Sequence, residues 1–158
     1  LLRAGLASFR GVSRRFETRI AGPQVVFIDD YAHHPKELDA CIASVREMYP
    51  GKRITGIFQP HLFTRTRDLA DDFGKSLAAL DELLLLDIYP AREEPIAGIT
   101  SQWLLTKVPL DAKVCVSKEE LLKEFQQRAV EVVVTLGAGD IDRLVPQIER
   151  LLNERYRP

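Results

Sequence analysis

Two hydrophobic periods alternate along this chain. The stretches 13–20 (S-R-R-F-E-T-R-I) and 24–30 (Q-V-V-F-I-D-D) read as strands, and Ala21-Gly22-Pro23 between them has turn chemistry, which predicts a hairpin. Val25 to Ile28 is apolar without interruption, the mark of a strand buried on both faces. From Pro35 the period becomes helical, with Leu38, Ile42, Val45 and Met48 on one face and the proline in the tolerated first turn; Pro50-Gly51 ends it. Arg53 to Phe58 is again a strand. Thr64 is read as the N-cap of a helix lined by Leu69, Phe73, Leu77 and Leu80, and Glu82 to Leu86 is the next strand. A short helix over Thr100 to Lys107 and a short strand over Lys113 to Val116 follow. Ser117-Lys118-Glu119-Glu120 then forms a capping box ahead of a helix burying Leu121, Leu122 and Phe125. Val132 to Leu136 is a further buried strand. The last helix places Leu144, Ile148 and Leu151 toward the core, and Pro146 either kinks it or marks its first turn.

Strand and helix alternating this often predict a Rossmann-like α/β domain: a mostly parallel sheet of about six strands with helices on both faces, plus the N-terminal strand hairpin. In such open sheets ligands bind beyond the carboxyl ends of the strands. Those ends are Asp29-Asp30-Tyr31, Gln59-Pro60-His61, Asp87-Ile88-Tyr89-Pro90 and Gly137-Ala138-Gly139-Asp140. A length of 158 residues fits one domain, and a net charge of -1 gives no reason to expect a nucleic-acid or membrane surface. The apolar runs are too short to span a bilayer, and a cytoplasmic setting is expected. Cys41 and Cys115 sit inside apolar periodic segments and are expected to be buried free thiols. The chain opens L-L-R-A-G-L-A-S-F without methionine, as a helix or linker would, and reads as a piece of a longer protein.

The chemistry concentrates at the strand ends. All three histidines lie there, two in D-Y-A-H-H-P-K-E and one in F-Q-P-H-L-F-T-R-T-R-D. A zinc site from His33, His34, His61 and an aspartate is conceivable, but adjacent histidines point in different directions and the thiols lie elsewhere. Arg65 and Arg67 open a helix, where free N–H groups already favour an anion and an arginine fork adds bidentate capture of carboxylate or phosphate. Arg67 has nearby acidic partners, so Arg65 is the better candidate. One of Asp29 and Asp30 could hold a ribose; otherwise one caps the next helix. Gly137-Ala138-Gly139 allows close approach by a ligand or forms a tight turn. No phosphate loop of the G-x-x-x-x-G-K-[ST] type occurs and no serine sits in a nucleophile elbow, so a nucleotide triphosphate would need another domain and covalent catalysis is not expected. Asp87, Tyr89, Arg92 and Glu93-Glu94 are further lining candidates.

Five ordered motifs, S-R-R-F-E, D-D-Y-A-H-H-P, F-Q-P-H-L-F-T-R-T-R-D, D-I-Y-P-A-R-E-x-P-I-x-G-I and G-A-G-D-I, resemble the C-terminal domain of the UDP-N-acetylmuramate:L-alanine ligases of the Mur ligase family, over nearly the whole chain. The resemblance implies a three-domain peptidoglycan-precursor enzyme. Its N-terminal domain would hold UDP-N-acetylmuramate, its central domain ATP and Mg2+, and residues 17–158 would close over both, with residues 1–16 ending the linker from the central domain. ATP would activate the muramic acid carboxylate as an acyl phosphate, and L-alanine would attack it. By that resemblance Arg15, Asp30 and Tyr31 are the nucleotide-binding residues, and His33, His61 and Arg65 the catalytic ones near the incoming amino acid; no metal ligand is expected in this domain. His33 is favoured over His34, which adjoins the proline and suits the helix-cap position. Many members carry arginine where this chain has Leu62, so the anion contact would rest on Arg65. This piece alone would be inactive. The alternatives are a murein tripeptide ligase acting on the same UDP-sugar, whose third motif differs, or a non-catalytic nucleotide- or zinc-binding module.

Overall fold

Five consecutive buried residues, Val132–Leu136, form strand β6 in the middle of the sheet, and their alternation explains the layering. Val132, Val134 and Leu136 point into one core and Val133 into the other, as the period of two requires. The computed structural model describes residues 12–156. They give, in order, β1 (Glu17–Ala21), β2 (Val26–Asp30), α1 (Pro35–Met48), β3 (Ile54–Phe58), α2 (Phe63–Asp68), α3 (Ala70–Leu77), β4 (Glu82–Leu85), α4 (Ser101–Leu105), β5 (Lys113–Cys115), α5 (Lys118–Gln126), β6, a 3-10 turn (Asp140–Arg143) and α6 (Val145–Arg155).

The sheet has six strands in the order β1-β2-β6-β3-β4-β5. Only the β1–β2 hairpin is antiparallel. Leu38, Ile42 and Val45 of α1, Phe73 and Leu77 of α3 and Leu104 of α4 cover one face; Leu121 and Phe125 of α5, Ile141, and Ile148 and Leu152 of α6 cover the other. The predicted α/β sheet with helices on both faces is therefore what forms. The chain leaves β2 and β3 toward the first face but leaves β6, which lies between them, toward the second. Diverging connections of this kind open a crevice at the carboxyl ends.

Several local expectations are revised. The apolar stripe of α1 runs Leu38, Ile42, Val45, Tyr49, so Met48 lies beside it and is 55% exposed. Thr64 is not an N-cap: the cap position falls two residues earlier, at Leu62, and the helix expected to run on is broken at Leu69 (φ -115°, ψ 17°). Leu80 is buried, but beyond the end of α3. In α6 Pro146 stands in the first turn rather than at a kink, and the buried stripe Val145, Ile148, Leu152 puts Leu151 at the core's margin. The capping boxes at Ser117 and at His34 are both formed. Of the stretch read as linker, residues 1–11 lie outside the described residues. Arg14 and Phe16 are already tied to the domain, since the Arg14 carbonyl accepts from the Tyr31 N–H and Phe16 packs on the first core.

Candidate active site

The carboxyl edge is held by two buried polar anchors. Gln59, 1% exposed, continues β3. Its amide Nε2 donates to Asp140 Oδ1 at 2.8 Å, and its Oε1 accepts from the Ile141 N–H at 2.9 Å. Lys118 Nζ lies 2.6 Å from Asp140 Oδ2. The glycines of G-A-G-D pack against this anchor. A Cβ on Gly139 would fall 2.5 Å from Gln59 Oε1 and 2.7 Å from Tyr89 Cγ, and one on Gly137, at φ 144°, would fall 2.9 Å from the Gln59 carbonyl.

The second anchor is Asp29, whose carboxylate is 2% exposed as a residue and faces β6. Oδ1 accepts from Thr135 Oγ1 at 2.7 Å, and Oδ2 accepts from Arg14 Nε at 3.2 Å. Arg14 Nη2 also donates to the Gly137 carbonyl at 2.6 Å, and its guanidinium stacks 5.2 Å from the centre of the Tyr31 ring. Burial pushes the Asp29 carboxyl above the ordinary carboxylate range, with Thr135 and Arg14 pulling the other way. Arg14 was not singled out in the sequence; its neighbour Arg15 was. At φ 59° Arg14 turns its side chain inward, while Arg15 stays exposed at the mouth of a cavity.

That cavity, about 430 Å³, is lined by Arg15, Asp30, Tyr31 and His33, with Phe16 and Cys41 among its apolar walls. Asp30 caps neither helix nor strand. Its Oδ2 accepts from the Phe16 N–H at 2.6 Å and its Oδ1 from the Ala32 N–H at 2.7 Å, which shapes the loop after β2. Tyr31 is 41% exposed where it lines the cavity.

The three sequence-predicted catalytic residues converge beside it. His33 and His61 rings are 5.9 Å apart between centroids, and Tyr31 stands edge-on to His33 at 5.3 Å. Arg65 Nη1 lies 3.5 Å from His61 Nδ1, and Tyr89 stacks on His61 at 5.5 Å. Because an arginine only donates, His61 Nδ1 is the acceptor in this long contact, which favours the neutral ring with its proton on Nε2. Burial, then the Arg65 charge and then His33 hold the His61 imidazole below the ordinary histidine range, and Glu93 opposes them weakly. Among the described residues no carboxylate pairs with Arg65, whereas Arg67 is engaged with Asp68 at 2.7 Å. His34 is the N-cap of α1, its Nδ1 accepting from the Lys36 N–H.

The loop carrying His61 is strained and clamped. Leu62 adopts φ 72°, a conformation costing an ordinary side chain about 1–3 kcal/mol. Its N–H donates to the Tyr89 carbonyl at 2.9 Å, and the Glu93 carboxylate accepts from both the backbone N–H (2.9 Å) and the hydroxyl of Thr64. These Thr64 hydrogen bonds hold the Glu93 carboxyl below its ordinary range. The anion expected at the start of this helix is thus supplied by the protein itself. Asp87, Arg92 and Glu94 are exposed.

Cys41 is buried and Cys115 half-buried, both as free thiols. Burial, with Asp87 nearby, pushes Cys115 up to about 11, and Cys41 is raised further by burial. Among the described residues no three histidine, cysteine or acidic side chains gather as a metal set.

The model of the "Mur ligase, glutamate ligase domain" matches residues 14–139, the great majority of the chain. The chain belongs to the Mur ligase family. Within that family it is 53% identical over 149 residues to the UDP-N-acetylmuramate–L-alanine ligase of Flavobacterium johnsoniae, covering 94% of this chain and 33% of the relative. Against the enzyme of the same description from Parabacteroides distasonis it is 54% identical over 156 residues, covering 99% and 34%. The chain therefore spans about a third of the length of the curated relatives it matches. Among solved Mur ligases, the crystal structure of UDP-N-acetylmuramate-alanine ligase from Thermotoga maritima superposes with a TM-score of 0.68 at 28% identity, over 98% of this chain and 32% of that one. The family's C-terminal domain is thus the unit described by the sheet and edge above.

Proposed function

We propose that this chain is the amino-acid-receiving and nucleotide-closing domain of an ATP-dependent ligase that joins L-alanine to UDP-N-acetylmuramate, in cytoplasmic peptidoglycan precursor synthesis. The observation that carries this reading is the meeting of His61 and Arg65 with His33, which itself lines a cavity together with Arg15, Asp30 and Tyr31. In this reading the central and N-terminal domains of the same protein bring ATP and the UDP-sugar to that edge. The muramic acid carboxylate takes the γ-phosphoryl group of ATP, giving ADP and an acyl phosphate. The alanine nitrogen then forms a bond to the acyl carbon, the tetrahedral intermediate expels phosphate, and the nitrogen releases a proton.

The residues on this edge have separate tasks. Arg65, lacking a carboxylate partner among the described residues, takes the alanine carboxylate, for which its planar fork is suited. Neutral His61 presents its Nε2–H to charge developing on the acyl group, so stabilisation comes from donors already in place. Tyr31 and Arg15 bound the nucleotide, and Asp30, with lone pairs left after its two backbone contacts, accepts from a ribose hydroxyl. Magnesium, when bound, supplies neutralisation of phosphate charge. No group of side chains described here suits it, and no step above runs through it.

Turnover of the full-length protein tests the reading. Phosphate release and amide formation are expected with L-alanine and not with a murein tripeptide; the identity above 50% to alanine ligases supports that choice. The 158 residues alone are expected to form no amide. Tripeptide preference, or ligation by the isolated chain, refutes the proposal.

A further inference from the structure

Among the described residues the His33 ring is hydrogen-bonded at one nitrogen only. Its Nδ1 lies 2.9 Å from the Tyr31 carbonyl and 3.3 Å from Glu37 Oε2. The same Glu37 oxygen accepts from the backbone N–H groups of His33 (2.9 Å) and His34 (3.1 Å). Burial works to raise the Glu37 carboxyl, but those N–H groups and the two imidazoles outweigh it and hold it below its ordinary range. At neutral pH it is an acceptor, as a carbonyl always is. Two acceptors facing one ring nitrogen require that nitrogen to carry the proton. The opposite nitrogen, Nε2, makes no hydrogen bond among the described residues.

We propose that Glu37 is a positioning residue for the ligation: with the Tyr31 carbonyl it fixes His33 as the Nδ1–H tautomer and leaves Nε2 to receive the proton of the incoming amine. The inference rests on the function proposed above. The two histidines then hold complementary forms: His61 keeps a proton on Nε2 and His33 lacks one there, so one ring donates and the other accepts at a single site. As the nitrogen of the amino acid bonds to the acyl carbon, its N–H bond breaks and an Nε2–H bond forms on His33. The resulting imidazolium keeps its Nδ1–H against the Glu37 carboxylate. The capping box is thereby more than a helix start, because one side chain sets both the first turn of α1 and the ring ahead of it.

The test has a structural and a kinetic arm. Nitrogen-15 spectra of histidine-labelled full-length protein at about pH 8.5, where ordinary imidazoles are neutral, report the tautomer, with the His33 signal assigned by its loss in His33→Asn. The wild type is expected to show Nδ1–H at His33. In Glu37→Ala, where the Tyr31 carbonyl alone remains at Nδ1, the Nε2–H tautomer is expected to gain population. Its kcat for ligation is expected to fall about 10- to 100-fold, with KM for L-alanine and ATP changing less than about threefold. Glu37→Gln, whose amide oxygen can accept from the same N–H groups, is expected to restore the single tautomer and most of kcat. Nε2–H in the wild type, or an unchanged tautomer in Glu37→Ala, overturns the proposal. A tautomer that responds as expected without any loss of kcat overturns the catalytic role of the tautomer. Absence of ligation in the wild type instead rejects the function proposed above while the spectra still decide the geometry. If Glu37→Ala does not fold, the wild-type and Glu37→Gln spectra carry the decision.

Discussion

Replacing Arg14 by methionine isolates the buried anchor beneath the candidate site. The unbranched side chain retains the apolar stem and removes the guanidinium, so Asp29 loses the Nε contact at 3.2 Å, the Gly137 carbonyl loses a donor and Tyr31 loses its cationic neighbour. The Asp29 side chain is 3% exposed and that of Arg14 18%. Removing one partner from a buried pair costs about 3–5 kcal/mol, and the partial exposure of Arg14 reduces this to about 2–4 kcal/mol. The pH dependence gives the prediction its sign. The folded-state pKa of Asp29 is already raised by burial, with Arg14 opposing the rise. Without Arg14 it rises further, so the native state of the variant keeps its proton at a pH where the unfolded chain has lost it. The deficit is therefore full at neutral pH and narrows as pH falls through the raised value toward the ordinary carboxylate range. Urea unfolding at about pH 7.5 and pH 4.5 measures both points. Adding Asp29→Asn, which keeps an oxygen for Thr135 and removes the stranded charge, is expected to recover at least about 1 kcal/mol at the higher pH. A loss under about 0.5 kcal/mol, or a loss of the same size at both pH values, refutes this account of the anchor.

Arg65→Ala in the full-length protein is expected to weaken use of L-alanine by about 2–4 kcal/mol in transition-state terms, read from kcat/KM; an unchanged value places the anion contact elsewhere. His61 is expected to titrate below the ordinary histidine range by NMR, and Arg65→Ala to move its midpoint upward by removing a positive neighbour. Since the folded value is the lower one, the unfolded chain binds that proton first, so stability falls as pH drops below about 6.5; His61→Gln is expected to remove that portion of the acid sensitivity. Gly139→Ala brings a methyl within 2.5 Å of Gln59 Oε1 and 2.8 Å of Tyr89 Cβ. A loss of about 1–3 kcal/mol is expected in urea unfolding, with a shift of the His61 ring signals as Tyr89 is displaced.

Local rules carried most of the secondary structure because local energies decide it here. Continuous apolar runs became strands buried on both faces, and Ser117 and Glu120 closed their capping box. What the sequence could not show was pairing at a distance. Nothing in the residues of β6 states that it inserts between β2 and β3, because that follows from which faces the crossovers take. The Glu93 clamp on Thr64 spans 29 residues of chain and displaces a locally reasonable cap. The nearness of His33, His61 and Arg65 was legible because strand ends of a parallel sheet meet on one edge, while their catalytic roles came from the resemblance alone. Arg14 was not, since S-R-R-F-E offers two adjacent arginines and only the backbone turn at Arg14 decides which is drawn inward.

The pair Asp29-Asp30 shows how far the period of two reaches into function. Asp29 stands opposite Thr135 in the β2–β6 register and shares that residue's face, where burial and an arginine make it an anchor. Asp30, one residue on, follows Ile28 and Val26 onto the α1 face, where the cavity with Cys41 opens and its carboxylate meets backbone N–H groups. Identical side chains thus receive opposite assignments from strand alternation alone. A one-residue slip of β2 would turn the anchor into the cavity and the cavity residue into the sheet. The register is held against that slip by Phe27, fully buried on the second face, and by Ile28, fully buried on the first. The site's geometry is in this sense inherited from the packing of two apolar side chains closed off inside the core.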